Sequence, residues 1–567
     1  MKTMKAVLIF TGIKPTIWLI IETDSVRIVR RRKEGAIMHG KYVNPGNKGF
    51  ERILNSEYID KTGLISLMNN RLNSTEGLVC ISRPRRFGKS FAAQMLCAYY
   101  DCSCDSHMLF DDKSIAETDT YHVHLNQYNV ICFDVTSFIS IAKRLRKPLN
   151  SVTNMIVDAI HNDLLAMYPY LPAGLSLTEC LLQCVEKEKR PFVFIIDEWD
   201  ALIREAKDEP VTQEEYINLL LEWFKNISFT PKVVAAAYIT GILPIKKDGS
   251  ESAISDFVEY PILYPDGFAS YTGFTETEVM DLCDKHGMDF DQIKSWYDGY
   301  EFAGCGAVYN PYSVMRAVKE SKCRSYWQKT TAAESLFTYI NMDFKGLRET
   351  ITRLIAGDSI EVDVDDFEND FESFNSKDDV LTLLIHLGYL TYHEDDRTVR
   401  IPNEEVRSEF KKILKGNGIN EKWIELIRTS QQLLSDTISG NEKAVADAIT
   451  RIRETEYAPV FYNNEQALRS VIKFAYIAAV GQYVKIEELP SGHGLADLAY
   501  IPKRHSSLPG MIIELKWDKS AEGAVQQIKD KKYTALISQF DGDLILVGIN
   551  YNSKTDSHAC KIERIRV

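Results

Sequence analysis

Ser82-Arg83-Pro84-Arg85-Arg86-Phe87-Gly88-Lys89-Ser90 follows the apolar run Leu78-Val79-Cys80-Ile81 and precedes a helix-like segment, Phe91 to Tyr100. A strand, a Gly-Lys-Ser turn and a helix N-terminus together form a cradle for phosphate. Backbone N–H groups at such a turn face the anion, a lysine reaches the β- and γ-phosphates, and a serine hydroxyl holds Mg²⁺. Lys89 and Ser90 take those two places, with Arg85, Arg86, Phe87 and Gly88 as the loop that would line a nucleotide. The usual pattern has glycine six positions before the lysine, and here that position is Arg83. An arginine there requires an ordinary negative φ, and Pro84 makes a rigid, non-helical entry. The opening turn must therefore differ from the usual one. Arg83, Arg85 and Arg86 have three readings: contact with phosphate, contact with a neighbouring subunit, or solvent.

A second segment completes the pattern. Phe192-Val193-Phe194-Ile195-Ile196-Asp197-Glu198 reads as a buried strand ending in two carboxylates. Asp197 at the tip would hold Mg²⁺ through water, and Glu198 would polarise the attacking water as a general base. Val233 to Ile239 is a small-residue strand that fits between the two motif strands. It ends at Thr240-Gly241, where Thr240 would sense the γ-phosphate or place water. Asp200 reads as a helix cap or turn residue.

With 567 residues the chain is too long for one core, and about three domains are expected. A composition of 45% hydrophobic and 26% charged residues is ordinary for a globular protein. The net charge of −13 argues against a protein that coats nucleic acid uniformly, but leaves room for a local basic groove. Eleven scattered cysteines without a second Cys/His pair at zinc spacing read as reduced thiols of a cytoplasmic protein. Residues 1–37, interrupted by Lys14 and Pro15, read as an upstream extension with little function, and Met38 as the start of the globular part. No segment is apolar enough over its length to cross a membrane.

Between Met38 and Pro261, strand-like runs (78–82, 129–135, 192–196, 233–239) alternate with helical periodicity (151–167, 175–188, 213–227). Alternation of this kind predicts an α/β fold with a mainly parallel sheet. The boundaries we expect are a phosphate-loop domain over 38–262, a helical lid or linker over 263–406, a helical connector over 407–457 and a final α/β domain over 458–567.

Several stretches together resemble the bacterial AAA-ATPase-like family. They are Tyr58-Ile59-Asp60-Lys61-Thr62, the Arg-Pro-Arg-Arg-Phe-Gly-Lys-Ser run, the Asp197-Glu198 strand, Trp296-Tyr297-Asp298-Gly299-Tyr300, Tyr309-Asn310-Pro311 and Ile401-Pro402-Asn403-Glu404-Glu405-Val406. In that family arginine replaces the first glycine as a rule. The resemblance covers nearly all of 38–567. It implies a P-loop NTPase three-layer core of the additional-strand, catalytic-glutamate kind, a helical lid, and a C-terminal domain of the restriction-endonuclease-like PD-(D/E)XK nuclease type.

The last implication can be followed on residues. Asp497 leads into the apolar strand Leu498–Ile501, and Met511-Ile512-Ile513-Glu514-Leu515-Lys516 follows a turn. Glu514 and Lys516 are two apart on a strand and share a face. If the strands pair as a hairpin, Asp497 reaches that face. Two carboxylates would then hold Mg²⁺, and Lys516 would orient or deprotonate the attacking water. By spacing alone this is a weak pattern, which a charged surface strand also produces. Glu465 resembles the upstream acidic residue and metal ligand of such nucleases. Gln526 or Gln527, with Lys531 and Tyr533, would touch a nucleic-acid backbone or lie on a solvated helix face. His493 reads as a loop residue. The Trp296–Tyr300 cluster reads as packing between lid and core, with base stacking as the alternative.

Together these readings describe an ATPase that gates a Mg²⁺-dependent nuclease domain acting on DNA or RNA. ATP and nucleic acid are the expected partners, oligomerisation is compatible, and no membrane is involved. The alternative is a nucleotide-dependent signalling switch whose C-terminal domain binds without cutting. A scaffold with an inactive ATP site fits poorly, because Lys89, Ser90, Asp197 and Glu198 are all present.

Overall fold

The computed structural model describes residues 7–9, 17–22, 25–30, 39–245, 256–302, 305–327, 346–365, 367, 376–416, 421–456, 462, 464–476, 478–479, 483–491, 494–502, 508–530 and 543–566. They divide into two compact units, one made of Met1–Leu78, Ser90–Leu202 and Val211–Ile239, the other of Val79–Lys89, Ile203–Pro210 and Thr240–Val567. Three strands, β1 (Val7–Ile9), β2 (Ile17–Glu22) and β3 (Ser25–Arg30), form an antiparallel sheet within the stretch read above as an extension.

The α/β core follows. β4 (Leu78–Ser82) runs through the loop into α1 (Lys89–Tyr100). β5 (Asn129–Asp134) leads into α2 (Val135–Arg144), whose N-terminus is capped by the Asp134 side chain. β6 (Phe192–Asp197), β7 (Val234–Gly241) and β8 (Val258–Tyr260) complete a sheet of order β5-β6-β7-β4-β8. The pairs β5–β6, β6–β7 and β4–β8 are parallel. Every position of β4 is buried, the mark of a strand covered on both faces. β7 stands between β6 and β4 in the sheet order, as its small residues Ala235 to Ala237 suggested. Helix Ser151–Met167 has the expected bounds. Helix Leu177–Glu188 starts two residues later than its periodicity suggested, because Ser176 and Glu179 close a capping box.

The middle region is helical but also holds two small antiparallel sheets that the sequence reading missed. Strands of two to four residues are too short to show alternation. β9 (Phe274–Thr275) precedes α3 (Phe290–Tyr297), β10 (Tyr300–Phe302) and β11 (Gly306–Tyr309), and the sheet order is β10-β11-β9. α4 (Pro311–Glu320) and α5 (Leu347–Ile355) come next. β12 (Ile360–Glu361), β13 (Thr391–His393) and β14 (Thr398–Arg400) pair in the order β12-β14-β13, ahead of α6 (Glu404–Gly416). One apolar core joins Phe87, Tyr300, Leu347, Leu384, Tyr389 and Phe410. The Tyr300 ring meets Phe87 edge-on at 5.1 Å, and its hydroxyl donates to the Gly388 carbonyl at 2.7 Å. This end of the Trp296–Tyr300 cluster is packing. Gly299 has φ +105°, and a Cβ there would fall 1.9 Å from the Pro402 carbonyl oxygen. Two of the motif stretches thus meet backbone to backbone.

The C-terminal part begins with helices Glu421–Ser439 and Glu442–Glu456 and with α7 (Glu465–Ala475). A five-stranded sheet follows in sequential order: β15 (Tyr483–Ser491), β16 (Gly494–Pro502), β17 (Gly510–Trp517), β18 (Asp543–Asn552) and β19 (Ser557–Arg566). The pair β17–β18 is parallel and the others antiparallel. The parallel step needs a crossover, which contains α8 (Ala521–Asp530). The described residues are thus α/β, with a mainly parallel sheet, a largely helical middle region and a final mixed sheet.

Glu405 on α6 is a buried acid that ties the middle region together. It accepts the Tyr326 N–H at 2.7 Å, while neighbouring Glu409 accepts the Ser325 hydroxyl at 2.6 Å. Burial pushes the Glu405 carboxyl up to about 7, against hydrogen bonds from Ser313, Tyr326 and Trp327 and with help from Glu409. A carboxyl whose folded pKa lies above its unfolded value binds more protons in the folded state. Stability therefore falls as pH rises from about 4 to about 7 and then levels off. Glu405→Gln should match wild type in urea unfolding at pH 4 and exceed it at pH 8, by on the order of 3 kcal/mol. Equal stabilities at both pH values would contradict the assignment.

Candidate functional site

Arg83, the residue that departs from the usual loop, is 0% exposed. Its N–H donates to the Gly241 carbonyl at 3.0 Å, at the end of β7. Its Nε donates to Thr272 Oγ1 at 3.0 Å, and Nη1 donates to the carbonyls of Ser82 (2.9 Å) and Tyr260 (2.6 Å). The guanidinium carbon lies 5.1 Å from the centre of the Phe302 ring. None of the three sequence readings describes it: this arginine is an internal strut.

The left-handed turn is carried by Arg86 (φ +73°) and Gly88 (φ +88°). A Cβ on Gly88 would meet nothing within 4 Å, so the glycine is there for its φ and not for room. Lys89 Nζ donates to the carbonyls of Arg83 (2.9 Å) and Pro84 (3.1 Å), which holds the ammonium within its own loop. Ser90, the second residue of α1, is exposed, as is Arg85. The Arg86 guanidinium lies 3.9 Å from the centre of the Tyr312 ring on α4 and donates to the Tyr326 carbonyl at 3.4 Å. Phe87 does not offer its ring to a ligand, because that ring is fully buried in the apolar core. The Arg86 and Phe87 side chains are thus engaged within the protein, which leaves their backbone N–H groups as what they could offer a nucleotide, and Arg85 is the loop arginine turned to solvent.

At the second motif, Asp197 ends β6, and Glu198 after it has φ +51°, an unusual backbone for a residue with a side chain. Parallel register sets Asp134 of β5 beside Asp197. The Asp134 carboxylate accepts the Thr136 N–H at 2.8 Å. Burial pushes the Asp134 carboxyl above its ordinary range, against the Thr136 bonds, and Asp197 and Glu198 add to the rise. The sequence reading missed Asp134. Its signal was an acid closing an apolar strand directly before a helix, the same grammar as Asp197. Thr240 is fully buried near the end of β7, and Asp200 is buried just before helix Ala201–Glu205.

In the C-terminal sheet β16 and β17 pair antiparallel, with Leu498 opposite Ile513. One step on, that register sets Asp497 across from Glu514. Asp497 Oδ2 accepts the Leu515 N–H at 2.8 Å, and Oδ1 accepts from Arg469. Glu514 Oε1 accepts from Lys516 Nζ at 3.0 Å and from Gln527 on α8. Asp497, Glu514 and Lys516 are all buried. Gln526 instead donates to Asp530 at 2.8 Å on the helix surface, which separates the two glutamines.

Among the described residues no group of three or more His, Cys, Asp or Glu side chains is placed to hold a metal ion, so Glu465 does not join Asp497 and Glu514. The helix that carries Glu465 presents Arg469, one turn on, to Asp497 instead. Neither Arg469 nor its target follows from spacing, because the contact is made between a helix and a strand. The two carboxylates still suit a hard divalent cation, which prefers charged oxygen donors. His493, Lys531 and Tyr533 lie outside the described residues.

Comparison with known proteins finds two family matches along the chain. Residues 46–250 match the family model described as predicted AAA-ATPase, and residues 463–560 match the PD-(D/E)XK nuclease superfamily. A curated relative is an uncharacterized protein in the vnfD 5′ region of Azotobacter chroococcum mcd 1. It is 23% identical over 382 residues, covering 64% of this chain and 70% of that one. Among solved structures, the Walker-type ATPase of Pyrococcus abyssi is similar at 13% identity and a TM-score of 0.32, over 62% of this chain and 96% of its own. The Aeropyrum pernix ORC2 protein is similar at 11% identity and a TM-score of 0.26, over 62% and 91%. Among the described residues no helix is long and apolar enough to cross a membrane, and no disulfide links the eleven cysteines.

Restoring the usual glycine should harm this protein. Arg83→Gly removes three side-chain hydrogen bonds and leaves a cavity beside Phe302. A loss of about 3 kcal/mol or more is expected in chemical denaturation. A stability within 0.5 kcal/mol or so of wild type would show that the strut is dispensable.

Proposed function

We propose that this chain, which joins an AAA-ATPase-like domain to a PD-(D/E)XK nuclease superfamily domain, hydrolyses ATP and uses the cycle to gate phosphodiester cleavage in DNA or RNA. The supporting observation is the buried group of Asp497, Glu514 and Lys516, joined by the half-buried Gln527, in a chain that also keeps the loop lysine and the paired acids of an ATPase.

In the phosphate loop, Walker A in pattern, Lys89 would leave the Arg83 and Pro84 carbonyls for the β- and γ-phosphates. The loop N–H groups around Gly88 would bind phosphate oxygens. Ser90 and Asp197, the latter in a Walker B position, would hold Mg²⁺, which supplies charge neutralisation on the phosphates. Glu198 would take the proton of the attacking water, and Thr240 would read the γ-phosphate position. Asp134 adds a third acid beside that pair. In the C-terminal domain Asp497 and Glu514 would hold a second Mg²⁺, and Lys516 would orient and deprotonate water there. Gln527 keeps Glu514 in place. Lys531 and Tyr533 belong to this proposal as backbone contacts. We take the protein to be bacterial and cytoplasmic, and we keep the boundaries near residues 262, 406 and 457.

A second reading has one observation in its favour. Asp497 is already bound by Arg469, and Glu514 by Lys516 and Gln527. A charge-balanced cluster of this kind suits a nucleotide switch whose C-terminal domain binds without cutting.

Lys89→Ala should lower ATP hydrolysis by about a hundredfold or more, and Glu198→Gln should retain ATP binding while losing about 10²–10⁴ in turnover. Asp497→Ala should leave ATP turnover intact and abolish cleavage in Mg²⁺ or Mn²⁺. Wild-type protein that cuts no single- or double-stranded DNA or RNA, with or without ATP, would remove the nuclease reading and leave the switch.

A further inference from the structure

The helix beside the nuclease-like site makes two ionic contacts one turn apart. Arg469 reaches Asp497 of β16. Lys473 reaches Asp358, just after α5 in the middle region, with Nζ 3.3 Å from Oδ1. Residues four apart on a helix share a face and move together. The same Asp358 oxygen takes Lys485 Nζ at 2.9 Å, and Lys485 lies on β15, the strand paired with β16. Asp358 therefore grips both elements that flank Asp497: the helix above it and the strand beside it.

These contacts are sheltered. Lys485 and Asp358 side chains are 9% and 10% exposed. Burial alone would raise the Asp358 carboxyl, but Lys485 and Lys473 outweigh it and hold the group below its ordinary range. Arg353 of α5 adds a third cation, its Nε 3.4 Å from Oδ2. The Asp358 N–H donates to the Arg353 carbonyl at 3.0 Å, which fixes the acid to the end of α5.

We infer that α7 is a coupling lever. Asp358 holds Lys473, Arg469 thereby stays on Asp497, and release of Asp358 withdraws the guanidinium so that Asp497 can take a divalent cation. The inference rests on the proposed reading of Asp497 and Glu514 as cation ligands and supplies its regulation. A guanidinium and a divalent cation compete for the same carboxylate oxygen, and two positive charges do not share it. The middle region then acts on the site through a helix with two anchored turns.

The test is Mn²⁺ binding to the full chain by isothermal titration calorimetry without nucleotide, with Asp497→Asn identifying the heat that belongs to this site. Arg469→Gln should tighten Mn²⁺ binding about tenfold, and Asp358→Asn about threefold. The double variant should bind no tighter than Arg469→Gln alone, because both changes act through one contact. Lys473→Gln breaks the same tie while leaving Lys485 on Asp358, so it keeps the test sound if Asp358→Asn unfolds, and it should reproduce the threefold gain. Unchanged affinity in both Asp358→Asn and Lys473→Gln overturns the lever, as do fully additive gains in the double variant. Weaker binding in Arg469→Gln overturns the competition. Absence of any Mn²⁺ heat removes the lever and the cation site together. Tighter Mn²⁺ in the variants without cleavage of any nucleic acid upholds the lever and removes only the cleavage reading.

Discussion

A guanidinium with almost no access to water sets the terms for the phosphate-loop region of this protein. Arg83 sits at the junction of the phosphate loop and its sheet, hydrogen-bonded to Thr272 and the Tyr260 carbonyl and lying near the Phe302 ring. A buried charge is costly unless its donors are met, so the chain around it has to supply acceptors in fixed positions. Those acceptors come from β8 and the segment before β9. The usual loop gets its shape from glycine's freedom at this position. Here the opening is held by side-chain contacts, and the freedom is needed only at Arg86 and Gly88. Phe87 extends the same arrangement, carrying the loop into the apolar core with Tyr300.

Much of this organisation was legible in the sequence because it is local. Five apolar residues ending in Asp197, and a Gly-Lys-Ser turn between a strand and a helix, are patterns of neighbours, and the strands and helices formed within a few residues of their periodicity. The pairing of β16 with β17 was legible for the same reason, since Asp497 and Glu514 each terminate or occupy an apolar run. The rest depends on contacts between distant parts of the chain. Nothing in the run around Arg83 says that Thr272 and Tyr260 will receive it. Glu465 looked like the useful acid on its helix, but the helix rotation that buries Leu468, Val471 and Ile472 presents Arg469 to the sheet. Asp134 is hard to single out from sequence because an acid that caps a helix has a structural role wherever it occurs.

The C-terminal cluster is a balance of charge. Two carboxylates and two cations, Arg469 and Lys516, are gathered where water is scarce. In such a place each ion needs its counter-ion, and removing one leaves the other exposed to the full cost of burial. The same balance makes the site responsive. Any element that shifts one cation changes what the carboxylates can hold, and α7 carries its cation on the same face as a residue tied to the middle region.

The parallel pairing of β17 with β18 has a bearing on how the domain is made. The hairpin of β16 and β17 closes over a short span of chain, but β18 arrives only after the crossover that contains α8. Seven of the eight positions of β17 are buried in the finished sheet. Until β18 docks, that strand presents an apolar, unpaired edge, the geometry through which chains adhere to one another. Slow, non-local pairing at this step makes the interval long relative to local folding. Association between chains through this edge during that interval is a route to aggregation, which dilution and low temperature would slow.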